Sequence, residues 1–505
     1  MPDADLRAHR LRGWLIATGV TLLAAVLRLP NLGRPHKLVF DETYYVKDAW
    51  TLLKLGYPAQ WPDTPNPAFE AGDVTSYLHQ ASYVVHPQVG KWFIAVGEKV
   101  VGVESSVGWR ISAAVAGIML VLLVTRIGRR LMRSDWLGGV AGLLVALDGL
   151  AIVQSRTGLL DGFLALLVTA AFGALLIDRD RTAERLAALG PQVQWGPFGP
   201  HLGVRGWRLV AGVLLGLSCG VKWSGIWFVA AFGLLSVGWD AAARRRAGVP
   251  RWLTGTLLRD SVPAFVSLVL VSAVTYLASW FRWFSEPDSY LHQWAAKHPG
   301  QGVTWLPDGL NSWLHYHAQM WDFHTHLTTP HDYAAKAFTW MIQWRPTSFF
   351  YETPEPAQQR CGSDHCSQAI TSLGNPLIWW LGCIAILAAI WWVVRRRDAI
   401  LVAALTGLAA GWLPWFLFPE RTIFTFYAIV MLPFVALLVT WTAVRFLGLN
   451  EPGARWREVV TWRRVTVIVA GGLIVLVTAF FYPIWTAAVV PFWFWQLHMW
   501  LPSWV

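Results

Sequence analysis

The chain has 505 residues, 55% of them hydrophobic and only 14% charged, with 34 tryptophans and a formal net charge of +11. No single core surrounded by water could hide so much apolar side chain, so an ordinary soluble domain is excluded. The basic residues form short blocks between apolar runs and no stripe interleaved with aromatics, which argues against a nucleic-acid partner. The composition calls instead for a lipid bilayer, whose water boundary suits tryptophan rings.

Crossing the hydrocarbon takes about 20 apolar residues in a helix. Runs of that kind fall at 12–29, 108–125, 136–153, 159–177, 208–221, 223–239, 261–281, 376–394, 399–418, 422–444 and 465–484. They predict an all-α polytopic membrane protein with about eleven transmembrane helices. The first run ends at Arg28-Leu29-Pro30 without a small-residue cleavage site, and is read as a retained span. Arg7, Arg10 and Arg12, and the basic blocks at 126–133, 179–208, 244–251, 395–397 and 445–464, all fall on one side of such a bundle. The positive-inside rule makes that side cytoplasmic, which places the N-terminus inside and the C-terminus outside.

This topology divides the chain into six parts. Residues 1–29 hold the cytoplasmic N-terminus and first span, and 30–107 form a large outer loop. Spans two to seven occupy 108–281, a second large outer loop occupies 282–375, the last four spans occupy 376–484, and 485–505 is an outer tail. In the first loop, 42–54 has helical periodicity through Tyr45, Ala49, Leu52 and Leu53, and 88–102 carries apolar residues at irregular helical spacing. Both are expected as helices along the membrane surface, separated by a turn-rich segment at 58–67. Cys219 and Cys383 lie in apolar runs, as small buried residues do. Cys361 and Cys366 flank a polar Gly-Ser-Asp-His in the exported second loop. A local disulfide is favoured there over a metal site, because C-x4-C with His365 lacks a fourth ligand.

The stretch "LVFDETYYVKDAW" places Asp41 and Glu42, followed by Tyr44, just outside the first span. The plain readings are that Asp41 caps a helix or that both acids are solvated. Three cations share that outer face against the topological rule: Arg156 in "QSRTG", Lys222 in "GLSCGVKWSGIWF" and Arg421 in "FPERTIFTFY". Any one of them could snorkel to headgroups. Opposite an acid pair, the three suit a phosphate at the outer leaflet, and Asp161 at the start of span four is placed to hold Arg156 or to serve as a first-turn acid. Such a site could pass a phosphate-linked group to a hydroxyl. The carboxylate takes the hydroxyl proton and the cations absorb the charge of the leaving phosphate, with no cofactor or metal required. The histidines of the second loop (His292, His298, His315, His317, His324, His326, His331) follow no tight ligand spacing and fit contact with peptide or sugar better.

"FDETYYVKDAW", "HPQVGKWFIAVG", "QSRTGLLDGFLAL", "GLSCGVKWSG" and "FHTHLTTPHDYAAKAFTWMIQWRP" together resemble the protein O-mannosyltransferase family, in its order and over nearly the whole chain. The likeness is greatest to actinobacterial-type members. The resemblance implies a C-type glycosyltransferase (GT-C) bundle whose two large outer loops carry membrane-surface helices. It implies polyprenyl phosphate mannose as donor, Ser/Thr hydroxyls of exported proteins as acceptors, and inversion in one displacement at the outer face of the cytoplasmic membrane. It further implies Asp41 as general base and Glu42 as a group positioning acceptor or sugar. Arg156 matches a phosphate partner, Lys222 and Trp223 match a pair beside the donor, His86 and Lys91 match first-loop positions, and His324, His331 and Arg345 match later-loop positions of the family; Arg421 as a phosphate partner and Tyr44 and Asp161 as supporting residues come from the outer-face charges alone. Unlike eukaryotic members, this chain has too little room in 282–375 for a β-trefoil domain. The alternatives are a related GT-C transferase with a lipid or glycan acceptor, and a lipid transporter, which would favour midplane charges or internal repeats. No self-complementary patch is legible, so no oligomeric state is assigned.

Overall fold

The computed structural model describes residues 3–189, 196–355, 361–396, 398–450 and 454–504, with side chains from Arg10 onward. The side chain of Arg7 and all of Arg397, both in expected basic blocks, lie outside the described residues. The chain opens with α1 (Asp3–Arg28). The segment expected as the first outer loop forms α2 (Glu42–Leu55), the short α3 (Asn66–Glu70) and α4 (Val89–Val101), so helices form close to the two expected surface segments. The next apolar runs form α5 (Ser106–Met132), α6 (Asp135–Leu147), α7 (Gly149–Ser155), α8 (Asp161–Ala188), α9 (Gly206–Val221), α10 (Gly225–Arg246) and α11 (Trp252–Ala278). The second outer segment contains α12 (Asp308–His326). It is followed by α13 (Pro376–Arg396), α14 (Ala399–Trp412), α15 (Leu432–Leu447) and α16 (Thr461–Trp485).

Among the described residues, eight helices are long and apolar enough to cross a bilayer. The bent pair α6 and α7 would make a ninth, and the shorter apolar helices α9 and α15 stand at the two remaining expected positions. The run at 136–153 is therefore not one straight span: its two helices meet at 65°. Asp148 sits in the break and caps α7 by accepting from the Ala151 amide at 3.1 Å. Its other oxygen accepts from the Asn375 amide and from Trp379 Nε1, both at 2.9 Å. Backbone freed inside an apolar bundle is tolerable only when satisfied from neighbours in this way. Where α6 lies against α5, Gly138 and Gly142 permit the close approach, since a Cβ at either would strike the Thr125–Arg129 stretch.

The segments expected as the second outer loop and the tail also contain a small sheet that the hydropathy did not announce. β1 (Thr347–Glu352), β2 (Cys366–Ser372) and β3 (Val489–Pro491) pair antiparallel in that order, with Thr347 opposite Ser372 and Cys366 opposite Pro491. The tail beyond 485 thus folds back onto the 282–375 segment, and the all-α expectation gains a β element. Cys361 is joined to Cys366 at the start of β2, with Cα atoms 6.0 Å apart. Cys219 and Cys383 are unpaired and half-buried, less enclosed than expected. At the other end of the bundle, Arg205 and Arg208 pair with Asp178 and Asp240, and Arg244 pairs with Asp260, tying α8, α10 and α11 together.

Candidate functional site

Asp41 occupies the position before α2, but its side chain makes no capping bond. Its carboxylate instead accepts from Tyr45 Oη, one turn along, at 3.2 Å, and keeps partial contact with solvent. Burial pushes the carboxyl up to about 6; Lys222 pulls it down, Asp161 pushes it up and the Tyr45 bond lowers it. At neutral pH Asp41 is an ionised carboxylate with enough proton affinity to act as a base.

Glu42 has a different environment, fully buried and fully bonded. Arg110 grips it with Nε and Nη2, each at 2.8 Å, and the amides of Gly158 and Val39 donate at 2.7 and 3.0 Å. These four bonds fasten the start of α2 to α5 and to the turn before α8, and they leave Glu42 no reach toward a substrate. The solvated reading of both acids and the acceptor-positioning role of Glu42 have no counterpart in this geometry.

Beside Asp41 lies a cleft whose walls include His86, Asp161, Lys222, Trp223, His324 and Arg421. Asp41 is next to this lining, coupled electrostatically to Lys222 and Asp161. Lys222 Nζ donates to Asp161 at 2.7 Å and lies 4.9 Å from the Tyr427 ring. Asp161 therefore holds Lys222, and not Arg156 as one reading of the sequence had it. Arg421 donates through Nε to the His324 carbonyl at 2.9 Å and through Nη2 to His324 Nδ1 at 3.1 Å. Because His324 accepts on Nδ1, its Nε2 carries the proton and donates to the Val85 carbonyl at 2.7 Å. Arg421 Nη1 has no partner among the described residues.

His86 stacks on His324 at 5.1 Å and leaves a buried Nδ1 unpaired. Burial, reinforced by Lys222 and other neighbouring cations, holds the His86 imidazole well below its usual range. Burial and then Arg421 bring His324 down to about 4 against the Val85 bond, so both rings are neutral at physiological pH. The cleft shares Trp227, Ala410 and Pro414 with an apolar groove between α10 and α14, which continues past Leu234, Val402 and Leu413. Together they can take an anionic head at the cations and an apolar tail in the groove.

Other expected site residues sit elsewhere. Arg156 is buried and donates to the carbonyls of Arg28, Pro30 and Asn31 at 2.6, 2.8 and 2.9 Å, strapping the end of α1. Lys91 is buried and paired with Asp48 at 3.0 Å, fixing α4 to α2. Arg345 donates to the carbonyls of Asp332 and Ser503 at 3.0 and 2.6 Å, which joins the second outer loop to the tail. Tyr44 is 64% exposed beside the acids, and the exposed His331 ring lies 6.4 Å from Phe40. Trp223 donates to Tyr276 Oη at 2.8 Å with its ring near His324. The structure thus gathers Asp161, Lys222, Trp223, His86, His324 and Arg421 around one cleft next to Asp41. Arg110, Tyr45 and Tyr427 were not singled out from the sequence. Arg110 could have been, since it lies at the outer end of a span and breaks the same charge rule as Arg156.

A family profile described as "Dolichyl-phosphate-mannose-protein mannosyltransferase" matches residues 18–281, and one described as "C-terminal four TMM region of protein-O-mannosyltransferase" matches 309–504. The polyprenol-phosphate-mannose–protein mannosyltransferase of Mycobacterium tuberculosis (strain H37Rv) is 37% identical over 515 residues, covering 100% of this chain and 94% of its own. Its namesake from Corynebacterium glutamicum is 34% identical, covering 97% and 93%. Among solved structures, the S. cerevisiae protein O-mannosyltransferase Pmt1-Pmt2 complex bound to the sugar donor shares the fold. It superposes with a TM-score of 0.72 at 14% identity, over 100% of this chain and 94% of that one.

Proposed function

The chain belongs to the dolichyl-phosphate-mannose-protein mannosyltransferase family, and from that membership we propose its reaction: mannose passes from polyprenyl phosphate mannose to Ser/Thr hydroxyls of exported proteins, with Asp41 as general base. The observation that carries the site assignment is a base-competent carboxylate coupled to a cationic wall at the mouth of an apolar groove.

In this reading the donor phosphate meets the free Nη1 of Arg421 and the ammonium of Lys222, and the isoprenoid chain lies between α10 and α14. Asp161 keeps Lys222 charged and aimed. The acceptor hydroxyl gives its proton to Asp41 while its oxygen attacks the anomeric carbon from the face opposite the phosphate. The bond from that carbon to the phosphate oxygen breaks, and polyprenyl phosphate departs with the electron pair and with inversion at carbon. Arg421 and Lys222 absorb the charge that grows on the phosphate, so no strong acid is needed. The neutral His86 has an unused ring nitrogen for a sugar hydroxyl. The basic blocks orient the molecule in the cytoplasmic membrane with this site on the outer face, where exported chains emerge.

The test supplies the purified chain with polyprenyl phosphate mannose and a Ser/Thr-rich peptide or its Ala-substituted control. Label is expected on the Ser/Thr peptide alone. Label on both peptides, or on a lipid or glycan in place of either, contradicts the proposal.

A further inference from the structure

Phe40, the residue before Asp41, has φ +48°. That left-handed conformation favours glycine or asparagine and is a genuine outlier for a bulky side chain. Such a conformation persists only where surrounding contacts enforce it. The enforcing contacts here are rings. Phe40 stacks on Phe349 of β1 at 4.7 Å and meets Phe426 and Phe424 edge-on at 5.5 and 5.9 Å, with His331 on a further side at 6.4 Å. Phe349 and Phe426 are buried and touch each other at 5.3 Å. The box is thus built from the first outer loop, the sheet and the segment following Arg421. One of its rings, Phe426, also lies 6.0 Å from Lys222 Nζ.

Asp41 has little else to aim it. It lacks a capping bond, and Tyr45 Oη holds it at 3.2 Å through a rotatable hydroxyl. The residue after it is pinned by the four bonds of Glu42, so the residue before it sets the remaining freedom. We propose that Phe40 is a positioning residue: its boxed ring holds the left-handed turn that sets where the Asp41 carboxylate stands beside Lys222 and the cleft. This rests on the reading of Asp41 as base. The same box ties the base to the loop that carries Arg421, so the two halves of the site keep a fixed separation.

The experiment measures kcat, donor KM and donor binding for the full-length chain carrying Phe40→Ala, Phe40→Gly, Phe40→Tyr or Phe349→Ala, beside Asp41→Asn. Misplacing a reacting group by about 1 Å costs on the order of 100-fold. Phe40→Ala and Phe40→Gly are therefore expected to lose about that factor in kcat per donor-binding molecule, with donor KM within about threefold. Glycine accepts the left-handed φ without strain, so its failure isolates the ring as the cause. Phe40→Tyr, which keeps the ring, is expected to recover most of kcat. Phe349→Ala, which opens the box from β1, is expected to repeat the loss and serves should the Phe40 variants not fold. Wild-type kcat in Phe40→Ala and Phe349→Ala with Asp41→Asn inactive overturns the positioning role and leaves the base standing. A loss confined to folded yield or donor binding also overturns it. Turnover by Asp41→Asn overturns the base instead.

Discussion

Asp41 and Glu42 are neighbours in the chain, yet burial and partners give them opposite tasks. Asp41 is half-buried, has one weak side-chain bond among the described residues and is lifted to about 6 by burial, so the proposed base is lost to protonation as pH falls. The rate of transfer is predicted to drop through an acid limb near pH 6, reaching about a tenth of its plateau one unit below. A kcat/KM profile between pH 4.5 and 8 checks this; the neutral His86 and His324 contribute no limb above Asp41's. Glu42 is instead a fastener. Glu42→Gln leaves the buried Arg110 uncompensated and is predicted to cost about 3–5 kcal/mol of stability, read as a lowered melting temperature in detergent. The arginines separate in the same way. Arg421→Ala removes an open donor from the cleft and is predicted to weaken donor binding about 30-fold or more. Arg156→Ala is predicted to leave donor binding within about threefold while losing stability by about 3 kcal/mol, since three carbonyls lose a charged donor. Lys222 and Arg421 were legible because they break the charge rule of the topology. The same rule misplaced Arg156, because an outer-face cation looks alike whether it faces a phosphate or a ring of carbonyls. Glu42's partner was not legible: the pairing spans 68 residues of sequence and has no local pattern.

At the scale of elements, helices follow hydropathy closely because the bilayer leaves the backbone no other way to satisfy itself. The exceptions are where side chains take over backbone bonds. Asp148 ends α6, starts α7 and receives the beginning of α13, so the "QSRTG" turn is delivered to the site by a bend and not by a straight span. Asp148→Ala is predicted to lose about 2–3 kcal/mol, because the Ala151 and Asn375 amides and the Trp379 indole are left unpaired. Limited proteolysis of the outer turn beside thermal melting would report it; an unchanged cleavage rate and melting temperature would count against the role of that break. The sheet escaped the sequence for another reason. Its strands are three to seven residues long, and β3 comes from the tail more than a hundred residues after β2. Short runs of that kind carry no helical or spanning signal, although the alternation in "TSFFYE" is visible once the pairing is known.

On the scale of the whole molecule, polar chemistry is divided between the two ends of one bundle. α8 carries Asp161 at the cleft and, about 25 Å further along, Asp178 in the Arg205 and Arg208 network. The network stitches spans together, whereas at the cleft Arg421 Nη1 and His86 Nδ1 have no partner among the described residues and the Asp41 carboxylate stands beside them. The groove between α10 and α14 opens from the cleft, and in the proposed function it takes the lipid tail of the donor while the acceptor reaches the cleft from water. In the proposed mechanism the acceptor proton leaves through Asp41. The direct test is single-turnover transfer of labelled mannose by the wild type and by Asp41→Asn at equal donor occupancy. Transfer slower by about 100- to 10,000-fold with donor affinity unchanged is predicted; transfer at the wild-type rate would contradict the account.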